Sequence, residues 1–181
     1  MNMDKSRTFR PQVAYFDHVF AVVDAGTADE IADSDFLRGF GMFEVGTTAT
    51  DMGSWTGRYL FGRRTYVELF GPDDLEGPEA QEGAVGLGLS SRSRGGLKLV
   101  SDQMATLGGR AEQGRRMLDE DNEQKPWFDY LKSVGPSQIF GTWVSEDLTA
   151  QSDLEVRESR YLDWTNPPGE AADAQDRSSA T

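Results

Sequence analysis

The alternation of apolar and polar residues predicts a buried strand at the start of the folded part of the chain. Residues 13–23 are rich in β-branched and aromatic side chains. Within this run Phe16, His18, Phe20 and Val22 fall on one face at a period of two. A histidine on an otherwise apolar face is the first candidate functional residue.

A helix and three strands are predicted to follow. Thr27 is followed three residues later by Glu30, which is the spacing of a capping box, so we expect a helix that begins at Thr27 and ends near Phe40. Short apolar or alternating runs separated by turn residues then predict the strands Phe43–Thr48, Trp55–Phe61 and Thr65–Phe70. The first half thus has the order β, α, β, β, β.

The second half repeats this order. Residues 84–91 predict a strand whose alternating glycines allow a ligand or another backbone to approach closely. Residues 96–109 have apolar positions at helical spacing and end at a glycine pair. The last three predicted strands lie within residues 112–118, 127–134 and 138–146.

The predicted fold is therefore α+β, with two βαβββ modules. Pro, Gly and acidic residues mark the boundary between the modules, and small polar residues dominate the C-terminal end. The predicted segments are a flexible N-terminus (1–12), a first module (13–72), a linker (73–83), a second module (84–150), a C-terminal strap (151–166) and a disordered tail (167–181).

Composition and charge exclude several classes of function. The 31 acidic and 18 basic residues give a net charge of −13, which leaves no basic surface for a phosphate backbone, so no nucleic acid partner is expected. Cysteine is absent, and this excludes disulfides, thiolate metal sites and a cysteine nucleophile. The sequence shows no secretion signal and no apolar run of membrane-spanning length, so we expect a cytoplasmic protein without a membrane partner.

Two segments carry a resemblance to a known family. The run FDHVFAVVD (16–24), followed by a helix and by GRYLFGRRTYVELFGP (57–72), resembles a module of the vicinal oxygen chelate superfamily, which includes glyoxalase I, extradiol dioxygenases and bleomycin-resistance proteins. The resemblance covers residues 14–72, and the second half resembles the family only in the order of its elements. It implies a cupped, barrel-like mixed sheet with the helices outside, and a homodimer.

The resemblance also implies a divalent metal ion held by His18 and Glu68. The residues are suitable, because a neutral imidazole and a carboxylate bind Fe, Mn, Zn, Ni or Co as divalent ions. Glu68 shares its strand face with two aromatic residues, where an ionised carboxylate needs a partner. A simple ion pair is the alternative for Glu68, and its candidates are Arg58, Arg63 and Arg64. The alternative for His18 is a packed side chain that hydrogen-bonds to the backbone or to Asp17.

The sequence departs from the family pattern because His18 is its only histidine. A complete site in the family takes a second histidine or glutamine from the fifth strand and a second glutamate from the eighth. Glu146, on the same face as Val144, is the candidate for the last ligand and for a general base. Ser145 would take this place if the register of the strand shifted by one residue.

Aromatic side chains on the predicted strands are candidates for binding a planar or apolar substrate, although such residues are often simply core. These candidates are Trp55, Tyr59, Tyr66, Trp127 and Trp143. Arg92 is a candidate for binding an anionic group of the substrate, and a solvated loop arginine is the alternative.

Three functions follow from these residues. The first is a metal-dependent enzyme that acts on a small organic substrate through two neighbouring oxygens, as an isomerase, a lyase or a dioxygenase. The second is a metal-free protein that binds a small molecule, or confers resistance to it, in the same pocket. The third is a dimerising scaffold without chemistry.

Overall fold

The structure is a computed structural model that describes residues 12–91, 93–135 and 139–148. Those residues form eight strands and three α-helices. The first half contains β1 (Tyr15–Val22), α1 (Ala25–Ala32), α2 (Asp35–Phe40), β2 (Met42–Thr50), β3 (Gly53–Phe61) and β4 (Tyr66–Phe70). The second half contains β5 (Val85–Ser91), α3 (Gly96–Thr106), β6 (Ala111–Glu120), β7 (Glu123–Ser133) and β8 (Phe140–Asp147).

The strands close into one barrel in the order β1, β4, β3, β2, β6, β7, β8, β5. Each half contributes four adjacent strands, with the first strand of the half parallel to the fourth. The halves meet along β1 and β5, which pair antiparallel over most of their length, and at a single bridge between Thr50 and Leu118. This architecture confirms the predicted α+β fold with a barrel-like mixed sheet.

Helix α3 covers the outer face of the second half. Leu97 and Val100 of α3 form one buried cluster with Leu131 of β7 and Val144 of β8. Because side chains alternate between the two faces of a strand, the neighbours of Leu131 and Val144 point into the barrel. The packing of Leu131 and Val144 against α3 therefore shows which residues of β7 and β8 face the interior.

The interior is closed at one end by a second cluster of buried residues. Phe20, Val22, Phe70 and Ala84 form this cluster, and Leu75 packs against it. Leu75 belongs to the segment predicted as a linker. In the same segment Asp74 pairs with the buried Arg58, and Glu79 pairs with Lys132 of β7. The connection between the halves is thus fixed against one end of the barrel.

Two glycines of β5 allow aromatic rings to lie directly on the strand. A Cβ atom at Gly88 would come within 2.6 Å of Nδ1 and 2.8 Å of Nε2 of His18. A Cβ at Gly86 would come within 2.6 Å of Phe20 Cδ1 and 2.8 Å of Trp143 Cζ3. The close approach predicted for this strand is therefore made by the protein's own rings.

The first predicted helix differs from the structure at its start and in its middle. Asp24, rather than Thr27, is the N-cap, and its side chain accepts a hydrogen bond from the Thr27 amide at 3.0 Å. The helix also ends at Ala32, and a second helix begins after Ser34, whose hydroxyl accepts from the Leu37 amide. An aspartate and a serine each satisfy the free amides of a first turn, so the segment forms two short helices.

The hairpin of β6 and β7 is longer than the predicted strands. Its turn residues, Asp121 and Asn122, have positive φ angles of 54° and 64°, which suit a two-residue hairpin turn. The strand ends next to this turn are polar, so the apolar pattern did not mark them. A register shift between Arg116 and Met117 leaves Trp127 as the extra residue of β7.

Several predictions lie outside the described residues. They concern the N-terminus up to residue 11, the strap (151–166), the tail (167–181) and Arg92. In the described part of the chain, no helix is long and apolar enough to cross a membrane.

A methyl group on β5 tests the packing of rings against its backbone. We expect Gly88→Ala to destabilise the fold by about 1–3 kcal/mol, because the His18 ring would have to leave its position. Gly39→Ala in α2 is the control, since a Cβ there meets no atom within 4 Å and alanine favours helix by about 1 kcal/mol. Urea unfolding of both variants measures the difference. Equal stability of the two variants would contradict this packing.

Candidate functional site

The barrel interior brings His18 and Glu68 to the same face. His18 lies opposite Tyr66 and Phe20 opposite Glu68 in the parallel pairing of β1 and β4. Both His18 and Glu68 are buried, with 7% and 8% of their surfaces exposed. The shared face predicted for this pair is therefore present. Phe16 differs from the prediction, because a bulge between Phe16 and His18 pairs Phe16 with Leu89 and leaves it 45% exposed.

The imidazole of His18 is held by an acid and two rings. Its Nδ1 lies 2.7 Å from Oδ2 of Asp17, so we assign the ring proton to Nδ1. The ring stacks on Tyr66 with centroids 4.4 Å apart, and Trp143 lies 5.1 Å away. With Nδ1 engaged, Nε2 is the nitrogen left to bind another group.

Burial disfavours the charged form of the Glu68 carboxyl group. Burial raises its pKa above the ordinary value of 4.5, while the electrostatic influence of His18 and hydrogen bonds from Tyr59 and Trp55 oppose part of that rise. The Trp55 indole N–H also donates to the Tyr59 hydroxyl at 3.1 Å. Burial, and then the charge of Glu68, raise the pKa of Tyr59. The interior therefore holds a hydrogen-bonding network in which burial disfavours the ionised forms of Glu68 and Tyr59.

Aromatic rings form the wall around these polar groups. The aromatic side chains predicted to bind substrate are all half-buried, and they are Trp55, Tyr59, Tyr66, Trp127 and Trp143. Trp55 stacks on Trp127 across the barrel with centroids 6.2 Å apart. These rings keep part of their surface exposed although they face inward.

The structure does not bring Glu146 to this site. Glu146 and Val144 share the outer face of β8, and the Glu146 carboxylate accepts hydrogen bonds from the amides of Gly95 (2.8 Å) and Leu97 (3.1 Å) at the start of α3. Its place in the fold is that of a helix cap. Ser145, the alternative, faces the interior, and its hydroxyl donates to the Leu89 carbonyl at 3.3 Å.

Within the described residues, the donor set does not fit a resident metal ion. His18 and Glu68 supply two ligands, whereas catalytic sites ordinarily use three from the protein. Among the described residues, no group of three or more His, Cys, Asp or Glu side chains could hold an ion. The interior position opposite His18 on β5 is Gly88, and the His18 ring occupies the space that a side chain there would need.

Arg116 of β6 is a further interior residue, and the sequence did not single it out. Its guanidinium carbon lies 5.9 Å from the centroid of the Tyr130 ring. Its Nε atom is buried without a hydrogen-bond partner. The signal was ambiguous, because Arg115 and Arg116 are adjacent and only the packing of α3 shows which of them faces inward.

An open groove lies beside the β3–β4 hairpin. It has a volume of about 380 Å³ and is apolar. Its lining includes Phe16, Phe40, Leu60 and Val67, so we call it the hairpin groove. Phe16 and Phe40 are exposed, whereas Tyr66, which also lines the groove, stacks on the His18 ring.

Two solved structures share the fold. A hypothetical protein from Staphylococcus aureus and a mutant of 4-hydroxymandelate synthase from Streptomyces coelicolor each align with a TM-score of 0.50 and 10% identity. The alignments cover 84% and 86% of this chain but 65% and 56% of those proteins, so the chain spans less than two thirds of either. This likeness shows the fold alone, and it agrees with the barrel implied by the vicinal oxygen chelate resemblance.

The sequence comparisons give a family but no activity. A family model described as "Family of unknown function (DUF5829)" matches residues 16–149. No curated protein matches the chain. Function therefore has to be argued from the interior of the barrel.

The buried carboxyl group predicts a pH-dependent stability. Because the folded-state pKa of Glu68 is raised, its contribution to stability is present below pH 4.5 and is lost as the pH rises through the folded-state pKa. We expect Glu68→Gln, which stays neutral, to melt at a higher temperature than wild type at pH 8 and at a similar temperature at pH 4.

Thermal unfolding between pH 4 and pH 8 measures this difference. Glu82→Gln is the matched control, since Glu82 is exposed, and we expect it to follow wild type at every pH. A Glu68→Gln variant that is less stable than wild type at pH 8 would show that the carboxylate is ionised and paired.

Proposed function

Because the chain belongs to DUF5829, a family of unknown function, we propose its role from the site alone: the protein binds a small organic molecule inside the barrel without a metal ion. The observation that carries this proposal is the interior wall of half-buried rings around the His18 and Glu68 network. Ligand sites are mostly apolar, with a few placed polar groups that fix orientation.

The polar groups would orient the ligand. Nε2 of His18 accepts a hydrogen bond while Nδ1 is engaged by Asp17. Burial raises the pKa of both the Glu68 carboxyl and the Tyr59 hydroxyl, and in their uncharged forms both groups can donate or accept a hydrogen bond. A ligand with a hydroxyl or carbonyl beside a planar apolar part matches this arrangement.

A metal-dependent enzyme of the glyoxalase type is the second candidate, and one observation favours it. The contact between Asp17 and Nδ1 of His18 resembles the carboxylate that supports a metal-bound histidine. A fold similar to that of a 4-hydroxymandelate synthase is compatible with an enzyme, although a fold hosts many functions. The two-ligand donor set argues against this candidate.

A neutral fluorescent probe tests the binding proposal. We expect N-phenyl-1-naphthylamine to gain emission on binding wild type, because the ring wall shields it from water. Ser145→Phe adds a ring to the interior and is expected to weaken binding at least about tenfold. Fluorescence titration gives the dissociation constants, and circular dichroism confirms that each variant is folded.

Phe40→Ser is the matched control, because Phe40 belongs to the hairpin groove. We expect it to leave the affinity for the probe unchanged. Binding that survives Ser145→Phe, or that is lost in Phe40→Ser, would move the site out of the barrel and contradict the proposal.

Metal analysis separates the two candidates. We expect protein purified without a histidine tag, incubated with Fe, Mn, Zn, Ni or Co as divalent ions and then desalted, to retain far less than one ion per chain. His18→Ala and Glu68→Ala should give the same result as wild type. One ion per chain in wild type, lost in both variants, would establish the metal-dependent enzyme instead.

A further inference from the structure

The guanidinium group of Arg116 faces the barrel interior. Arg116 pairs with Phe128 in the register of β6 and β7, two residues from the pair of Gly114 and Tyr130. Leu131 packs outward under α3, so Tyr130 points inward. Because Arg116 lies beside the Tyr130 ring, it belongs to the same face.

The charge of Arg116 lacks an acidic partner among the described residues. Its Nε atom is shielded from solvent and makes no hydrogen bond. A buried N–H group without a partner is destabilising, and such groups are rare in folded proteins. A ligand that supplies an acceptor would remove this cost.

The neighbouring arginine of β6, Arg115, has hydrogen-bond partners for its guanidinium group. Arg115 faces outward and forms two bonds with Asp129, from Nε to Oδ1 at 2.6 Å and from a terminal nitrogen to Oδ2 at 3.0 Å. The chain has 31 acidic residues against 18 basic ones, so acidic partners are abundant. That Arg116 has no acidic partner among the described residues is therefore a local property of the interior.

The surroundings of Arg116 connect it to the ring wall. A register shift directly after Arg116 makes Trp127 the extra residue of β7, and Trp127 stacks on Trp55. Bulges of this kind often occur beside functional sites, where they redirect a side chain. On the other side, Tyr130 lies opposite Ser145, two residues from the Trp143 that contacts His18.

We propose that the ligand of the barrel is an organic anion whose carboxylate is bound by Arg116 while its apolar part lies against the aromatic wall. An arginine can hold a carboxylate through two parallel hydrogen bonds. This inference rests on the proposed function, because it names the chemical class of the molecule bound at that site.

A pair of probes that differ only in charge tests the proposal. The probes are 2-naphthoate and its neutral amide, 2-naphthamide, which present the same ring system. We expect wild type to bind 2-naphthoate at least about tenfold more tightly than 2-naphthamide, since a hydrogen bond to a charged group contributes about 1.5–3 kcal/mol. The net charge of −13 repels anions, so this preference would have to come from a local cation.

Two substitutions that each remove one positive charge test whether the preference for the anion depends on Arg116. Arg116→Gln should weaken 2-naphthoate binding at least about tenfold and leave 2-naphthamide unchanged, whereas Arg115→Gln should retain the wild-type preference. Isothermal titration calorimetry measures the affinities. Thermal unfolding checks folding, and Arg116→Lys, which retains the charge, should recover part of the preference if Arg116→Gln is unstable.

The outcomes distinguish this inference from the proposed function. Equal affinities of wild type for the two probes, or a preference that survives Arg116→Gln, would overturn the anion site and leave the interior pocket in place. An equal loss in Arg115→Gln and Arg116→Gln would also overturn it, by showing a general effect of charge. Failure of wild type to bind either probe would contradict the pocket itself.

Discussion

The interior of this barrel depends on the absence of side chains at two positions of β5. Gly86 and Gly88 let the rings of Phe20 and His18 lie against the strand where β1 and β5 join the two halves. Each ring fills the space that a larger side chain on β5 would need. The backbone of β5 in turn holds the ring in place. The orientation of His18, and with it the site that His18 shares with Glu68, therefore follows from how closely the two halves approach.

Burial sets the chemistry of the polar groups held in this way. An ionised carboxylate on an apolar face is costly, so burial raises the pKa of Glu68, and its hydrogen bonds with Tyr59 and Trp55 oppose part of that rise. Arg58, one of the partners expected for Glu68, pairs instead with Asp74 on the outer side of the barrel. Arg58 and Glu68 are thus separated by the sheet, and among the described residues Arg116 places a positive charge inside the barrel.

The sequence predicted what depends on local alternation. The order of elements and the shared face of His18 and Glu68 follow from a period of two within β1 and β4. The face of β8 could not be predicted in this way, because both faces carry apolar residues and only the packing of Val144 under α3 places Glu146 outside. The interior position of Arg116 could not be predicted either, because only the packing of α3 shows which of the adjacent Arg115 and Arg116 faces inward. Asp24 was missed as a cap because Thr27 matched a capping pattern equally well.

The two halves share one topology but differ in the chemistry they present. A metal site built from both halves would take one ligand from β1 and another from β5, since these strands are equivalent in the repeated order. Here the interior face of β5 carries Gly88 opposite His18. A metal-binding side chain at this position would therefore displace the imidazole of His18. The equivalent of β4 is β8, where Ser145 faces inward and bonds to the backbone of β5. The second half thus offers rings, a hydroxyl and a guanidinium, a set that suits the recognition of an organic molecule better than the coordination of a cation.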